Sequence, residues 1–94
     1  MEFLVRIDVH IPPDMPADER TRLLQLESAR GKELIAEGTL ARIWRIPGRQ
    51  SNWSLYNAED ANAVHAAVTS LPLWPYMDVQ VEALATHPLE GGLR

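Results

Sequence analysis

The chain has 94 residues, a formal net charge of −4 and no cysteine. This length leaves room for one domain, residues 1–94, and pairing with a second copy is expected, because small domains bury little of their surface. The missing cysteine excludes disulfides, thiolate metal ligands and cysteine nucleophiles. Acidic residues outnumber basic ones and no basic cluster occurs, so no nucleic-acid partner is expected. Without a signal-peptide pattern or a membrane-spanning stretch, we expect a cytoplasmic protein with no membrane partner.

The first predicted element is a strand over residues 2–10, where apolar and polar side chains alternate. Its apolar side consists of Phe3, Val5, Ile7 and Val9. A proline-rich segment ends this strand, since proline cannot donate to a sheet ladder. A helix is then predicted from Pro16 or Asp18 to about Glu37, with Gly38 as its C-terminal stop.

The next two predicted strands, Leu40–Ile46 and Ser51–Asn57, are joined across a short Pro-Gly connection that fits a hairpin. A second helix is predicted over Glu59–Ser70, beginning near Asn57 or Glu59. The last strand is predicted over Asp78–Ala85, and the residues after it show no pattern.

This β-α-β-β-α-β order predicts an α+β, ferredoxin-like fold with a four-stranded antiparallel sheet and both helices on one face. The other face would be uncovered. We expect Trp44, Trp53 and Tyr56 of the hairpin on that open face, where they would be a liability in a monomer. Face-to-face pairing of two sheets in a homodimer would cover them.

Glu27 is the first candidate for chemistry, because it lies within the apolar arc of the first predicted helix. At about 100° per residue, that arc also holds Leu23, Leu24, Gly31, Leu34 and Ile35. Burial would raise the pKa of its carboxyl toward the range useful for proton transfer near neutral pH. The alternative is a structural ion pair with Arg20 on the same arc, or with Arg6 or Arg45 from the sheet.

Three further features have a structural interpretation beside a functional one. Gly31 indicates either room for a ligand or close backbone packing. His65, at the edge of the second helix's apolar stripe, is either a core-edge residue or a site residue. The apolar, proline-stiffened segment Leu71–Met77 lines a pocket or interface, or simply caps the core. The three histidines are scattered, which argues against a metal site.

The segment Leu71-Pro72-Leu73-Trp74-Pro75-Tyr76-Met77 closely resembles the Leu-Pro-Leu-Phe-Pro-Tyr-Met signature of muconolactone Δ-isomerases, enzymes of the 3-oxoadipate pathway of aromatic catabolism. The resemblance covers nearly the whole chain. Further matches in the family's order and spacing are Glu37-Gly38-Thr39, Trp44-Arg45-Ile46, Gly48, Asn52, Ser54, His65 and His87-Pro88.

The resemblance implies a cofactor-free and metal-free 1,3-proton shift that converts muconolactone to 3-oxoadipate enol-lactone. It also implies subunits paired sheet to sheet, of the dimeric α/β barrel type, assembled into a decamer with the pocket between subunits. Glu27 matches a family glutamate and is the expected base. Arg45 is the candidate for charge stabilisation or carboxylate binding. Asn52 and His65 are expected to hold lactone oxygens, and the expected pocket walls are Trp53, Trp74 and Tyr76.

The sequence departs from the family near these residues. Family members usually carry lysine where this chain has Leu24, and tyrosine where it has Gln50; another basic residue is common near Ser28. Arg20 and Lys32 are possible replacements for the lysine, and only Arg20 falls on the predicted Glu27 arc. Two alternative functions follow: an enzyme for another lactone, including a lactone dehalogenase, and a non-catalytic ligand-binding or assembly protein on the same scaffold.

Overall fold

The computed structural model describes residues 1–93 and contains one antiparallel sheet, with strand order β2-β3-β1-β4. The elements in chain order are β1 (Glu2–Val9), α1 (Ala17–Ala36), β2 (Leu40–Arg45), β3 (Ser51–Asn57), α2 (Ala61–Thr69) and β4 (Met77–Leu84), with 3₁₀ turns over Trp74–Tyr76 and Glu90–Gly92. The predicted fold class is confirmed, and every predicted helix and strand is present.

Both helices pack on the same face of the sheet. The apolar side of β1 is buried there, with Val5 fully inaccessible to solvent. Leu34 of α1 and Val64 of α2 join it in one hydrophobic cluster. Alternation along β1 therefore decides which face of the sheet receives the helices.

Local chemistry explains where the helices end and begin. Gly38 has a φ of +81°, a backbone conformation that residues other than glycine rarely adopt. It follows α1 as predicted. The predicted start of α2 near Asn57 or Glu59 is wrong. Asn57 belongs to β3, and the cap is Asp60, whose carboxylate accepts a hydrogen bond from the N–H of Ala63 at 2.8 Å.

The expected position of Tyr56 on the open face is also wrong. Residues three apart in a strand point to opposite faces, so Tyr56 cannot share a face with Trp53. Tyr56 lies on the helix-covered face and is 1 % exposed. Trp53 pairs across the sheet with Trp44 on the open face, where the guanidinium groups of Arg6 and Arg42 lie over their rings.

No helix in the described part of the chain is both long enough and apolar enough to cross a membrane.

Candidate active site

A cavity of about 550 Å³ lies between α1, the helix-covered face of the sheet and the segment before β4. Its volume is in the range of small-molecule sites. The residues of α1 that line it follow helical spacing and are Leu24, Glu27, Ser28, Gly31, Lys32 and Ile35. The polar side chains contributed by β2, β3 and the turn between them are Arg45, Gln50, Asn52, Ser54 and Tyr56. The cavity is otherwise lined by apolar groups, so polar atoms inside it interact strongly.

Glu27 is half-buried in this cavity, and its Oε1 accepts a hydrogen bond from the backbone N–H of Leu73 at 2.9 Å. Burial raises the pKa of the carboxyl above its ordinary value, and the hydrogen bond from Leu73 partly offsets that rise. Since one oxygen is anchored, the carboxylate is oriented while Oε2 remains able to accept a proton. This arrangement suits a general base.

The alternative interpretation of Glu27 as an ion-paired residue is wrong. Among residues 1–93, no cationic side chain lies within 4.0 Å of its carboxylate. Arg6 pairs with Asp8 on the open face, and Arg20 lines a separate hollow beside His10. Arg45 shares the cavity, where its guanidinium donates to the carbonyl oxygen of Ser51 at 3.5 Å.

Gly31 lines open space. Apart from its own helix backbone and chain neighbours, a methyl group at its Cα would meet no atom of residues 1–93 within 4 Å, which contradicts close backbone packing and supports the expectation of room for a ligand. The glycine widens the cavity one helical turn after Glu27.

The wall formed by β2 and β3 carries oriented donors. Arg45 and Asn52 are direct partners across the two strands. The hydroxyl of Ser54 donates to Oδ1 of Asn52 at 2.8 Å, which leaves the amide NH₂ of Asn52 to donate elsewhere. Glu27, Arg45 and Asn52 are therefore brought together, although they come from three different elements.

The other predicted site residues do not line this cavity within one chain. Trp53 lies on the opposite face of the sheet. His65 and Trp74 line a second groove, between α2 and β4. Tyr76 lines neither of these spaces; its carbonyl oxygen accepts from the N–H of His10 at 2.7 Å. Their roles in substrate binding stay predictions that require a second subunit.

The structure adds residues that sequence analysis missed. Tyr56 and Ser54 line the cavity, and the alternation that places Asn52 there could have identified both. Lys32 lines the cavity and Arg20 does not, which corrects the expectation that only Arg20 lies on the Glu27 face. Nothing in the sequence indicates that the Leu73 N–H donates to Glu27, because the tertiary path of the chain decides where a backbone donor lies.

No group of three or more histidine, aspartate or glutamate side chains within residues 1–93 is arranged to hold a metal ion. What the cavity does provide is an anchored, half-buried carboxylate opposite an arginine and an amide. Such a site can remove a proton from carbon and stabilise the anion that results.

Comparison with known proteins agrees with this geometry. The family model described as muconolactone delta-isomerase matches residues 1–90. The muconolactone Delta-isomerase of Acinetobacter baylyi is 42 % identical over 88 residues, which cover 94 % of this chain and 92 % of the relative. That of Rhodococcus opacus is 39 % identical over 85 residues, covering 90 % and 91 %.

A crystal structure of muconolactone isomerase superimposes with a TM-score of 0.88 at 38 % identity, covering 94 % of this chain and 92 % of that one. Both matches extend over nearly the whole chain, and the family match over residues 1–90 includes every residue that lines the cavity. The chain therefore belongs to the muconolactone delta-isomerase family.

Proposed function

We propose that this protein is an intramolecular isomerase of aromatic catabolism that converts muconolactone to 3-oxoadipate enol-lactone, or a close substituted relative to the correspondingly substituted enol-lactone. The reaction moves a ring double bond by a 1,3-proton shift and needs no cofactor. The observation that carries the proposal is Glu27, a half-buried carboxylate with one anchored oxygen in a cavity large enough for a lactone.

Glu27 is the base. It removes the proton from the ring carbon that bears the side chain, and the electron pair moves through the double bond to the lactone carbonyl oxygen. A proton then returns to the ring carbon next to that carbonyl. Because burial raises its pKa, Glu27 is a stronger base than an exposed glutamate, and it regains its charge after each turnover.

Arg45 and Asn52 bind the oxygens of the substrate. A guanidinium group matches the planar geometry of a carboxylate, so Arg45 holds the acetate side chain of the lactone. The amide of Asn52, oriented by Ser54, donates to a second oxygen. Lys32 at the cavity rim adds positive charge in place of the family lysine that Leu24 replaces.

We also propose that two copies pair through the open face of the sheet. Trp44 on that face is 42 % exposed, beside Trp53. Exposed tryptophans on a sheet face are more stable when a second sheet covers them. In the assembled homo-oligomer the second sheet would cover Trp53, and Trp74 of one subunit would lie toward the pocket of another.

The test is turnover of muconolactone by the wild-type protein and by Glu27→Gln. The amide keeps the shape and the hydrogen bond from Leu73 but cannot accept the proton, so we expect kcat to fall by about 10²- to 10⁴-fold. Glu19→Gln, at an exposed position in the first turn of α1, is the matched control and should keep the wild-type rate. A Glu27→Gln rate near that of the wild type would remove Glu27 from the mechanism.

The same assay separates the alternative functions. A panel of muconolactone, methyl-substituted lactones and chlorinated lactones, with chloride release monitored, distinguishes isomerisation from dehalogenation. Binding of these lactones without any turnover at high protein concentration would instead assign the scaffold to a non-catalytic binding protein.

For the isomerase, the acid limb of the kcat/KM profile should lie above the ordinary glutamate pKa of 4.5, because burial raises the pKa of Glu27.

A further inference from the structure

Tyr56 places a hydroxyl group beside Glu27 that the mechanism above does not use. The residue is 1 % exposed, and its ring belongs to the hydrophobic core between the sheet and the helices. It lies two residues beyond Ser54 on the helix-covered side of β3, so it continues the polar row formed by Asn52 and Ser54. The same residue lines the cavity that holds Glu27.

The hydroxyl of Tyr56 has no hydrogen-bond partner among residues 1–93. The hydrogen bonds of the cavity join Leu73 to Glu27, Ser54 to Asn52 and Arg45 to Ser51, and none includes the phenol. Yet no side-chain polar atom in the described chain is both sealed from solvent and unpartnered. The phenol oxygen therefore reaches the space of the cavity. A rigidly held hydroxyl without a hydrogen bond lowers the stability of the fold unless water or a ligand forms that hydrogen bond.

The charges around Tyr56 make it a hydrogen-bond donor and not a base. Burial and the negative charge of Glu27 raise its pKa to about 12, although Arg30 acts in the opposite direction. The phenol therefore keeps its proton throughout the neutral range. A protonated phenol next to a carboxylate base is suited to an oxygen on which negative charge develops.

The depth of the cavity decides which oxygen of the substrate Tyr56 meets. Arg45 and Lys32 line the cavity from exposed positions, whereas Tyr56 lies in the core. The carboxylate of a lactone substrate is charged before binding, and it is stabilised near those cations and away from Glu27. The uncharged lactone ring then occupies the inner, apolar end, where the carbonyl oxygen faces the phenol.

We propose that the Tyr56 hydroxyl donates a hydrogen bond to the lactone carbonyl oxygen and stabilises the oxyanion formed when Glu27 removes the ring proton. This inference rests on the proposed function. Tyr56 keeps its own proton: the proton lost from the ring goes to Glu27, the electron pair goes to the carbonyl oxygen, and both return as the new double bond forms.

Tyr56→Phe tests this role, because it removes one oxygen atom and leaves the buried ring in place. Loss of one donor to a developing oxyanion lowers kcat by about 10²-fold, and KM rises by up to about tenfold, because the same hydrogen bond is already present in the bound substrate. The acid limb of the pH profile should not move, since Glu27 is untouched. The thermal midpoint should stay the same or rise, because an unpaired hydroxyl has been removed.

Two kinetic results would overturn the proposal. One is a kcat for Tyr56→Phe within about twofold of the wild type, since loss of an oxyanion donor must cost more than that. The other is a lower kcat together with a shifted acid limb, which would mean that the phenol acts on Glu27 and not on the substrate.

A binding measurement keeps this inference separate from the proposed function. The probe is the saturated analogue of muconolactone, which has no ring double bond to move. Its affinity should fall about tenfold in Tyr56→Phe, as expected for one lost hydrogen bond.

If the wild type fails to turn over muconolactone but binds the probe, the proposed function fails, and the affinity of Tyr56→Phe still decides the role of the phenol. Equal affinity of the two proteins for the probe, or no binding by the wild type, overturns the Tyr56 contact with a lactone.

Discussion

Asp8 and Glu27 are carboxylates on opposite sides of the same sheet, and their surroundings move their pKa values in opposite directions. On the open face, hydrogen bonds from Arg6 at 3.0 Å and from Ser51 at 2.5 Å lower the pKa of Asp8 to about 2. On the covered face, burial raises the pKa of Glu27, and its one hydrogen-bond partner in the described part of the chain is the N–H of Leu73.

The contrast shows why only one of these acids is suited to catalysis. Asp8 is held as a permanent anion by a cation and a hydroxyl, so it is a weak base. Glu27 has a neutral donor and, within residues 1–93, no cationic side chain within 4.0 Å, so proton uptake is easier. The difference in basicity between Asp8 and Glu27 comes from the groups packed around each carboxyl and not from the residue type.

The largest expected effect concerns the open face itself. Trp53→Glu removes an indole from the face where a second sheet is proposed to pack and puts a carboxylate there, whose desolvation is costly even beside Arg6. We expect the oligomer to dissociate, as measured by sedimentation velocity. Gln25→Glu, on the exposed side of α1, is the control and should leave assembly unchanged. An intact Trp53→Glu oligomer would show that the subunits pair through another surface.

The next effect comes from giving Glu27 the kind of partner that Asp8 has. Leu24 lines the cavity one turn before Glu27, so Leu24→Lys introduces a cation near the carboxylate. A nearby positive charge should lower the pKa of Glu27, and the acid limb of kcat/KM should move down by about one unit. Leu24→Gln is the matched neutral control. An unmoved acid limb would mean that another group titrates in that profile.

The smallest effects are opposite changes in stability for the two acids. Glu27 has a raised folded-state pKa, so its burial destabilises the fold at pH 7, and this cost disappears as pH falls below about 4.5. Glu27→Gln should therefore raise the free energy of unfolding at pH 7. Asp8 has a lowered pKa, so its contribution is present above pH 3.8 and is lost as pH falls through about 2. Asp8→Asn should lower the free energy of unfolding at pH 7.

Denaturant titrations of both variants and the wild type, at pH 7 and at pH 3, measure this difference. Both differences from the wild type should shrink at the lower pH. Changes of the same sign at pH 7 would contradict the two opposite pKa shifts.

The sequence by itself determined the order of elements and the covered face of the sheet. Alternation along β1 predicts its buried side, and the apolar arc of α1 identifies Glu27, because both patterns repeat over distances of a few residues. The Leu71–Met77 segment also identifies the family. A 3₁₀ turn over Trp74–Tyr76 lies within this segment, but nothing in its amino-acid sequence indicates that the Leu73 N–H donates to Glu27.

Only the tertiary structure decided the surroundings of Glu27. Its anchoring donor lies 46 residues away in the chain. Whether a cation of residues 1–93 reaches its carboxylate depends on where Arg6, Arg20 and Arg45 finally point. The phenol of Tyr56 beside it follows from the register of β3 against its neighbours. These are long-range relations between elements, and local periodicity carries no information about them, since each element would keep its pattern in many different packings.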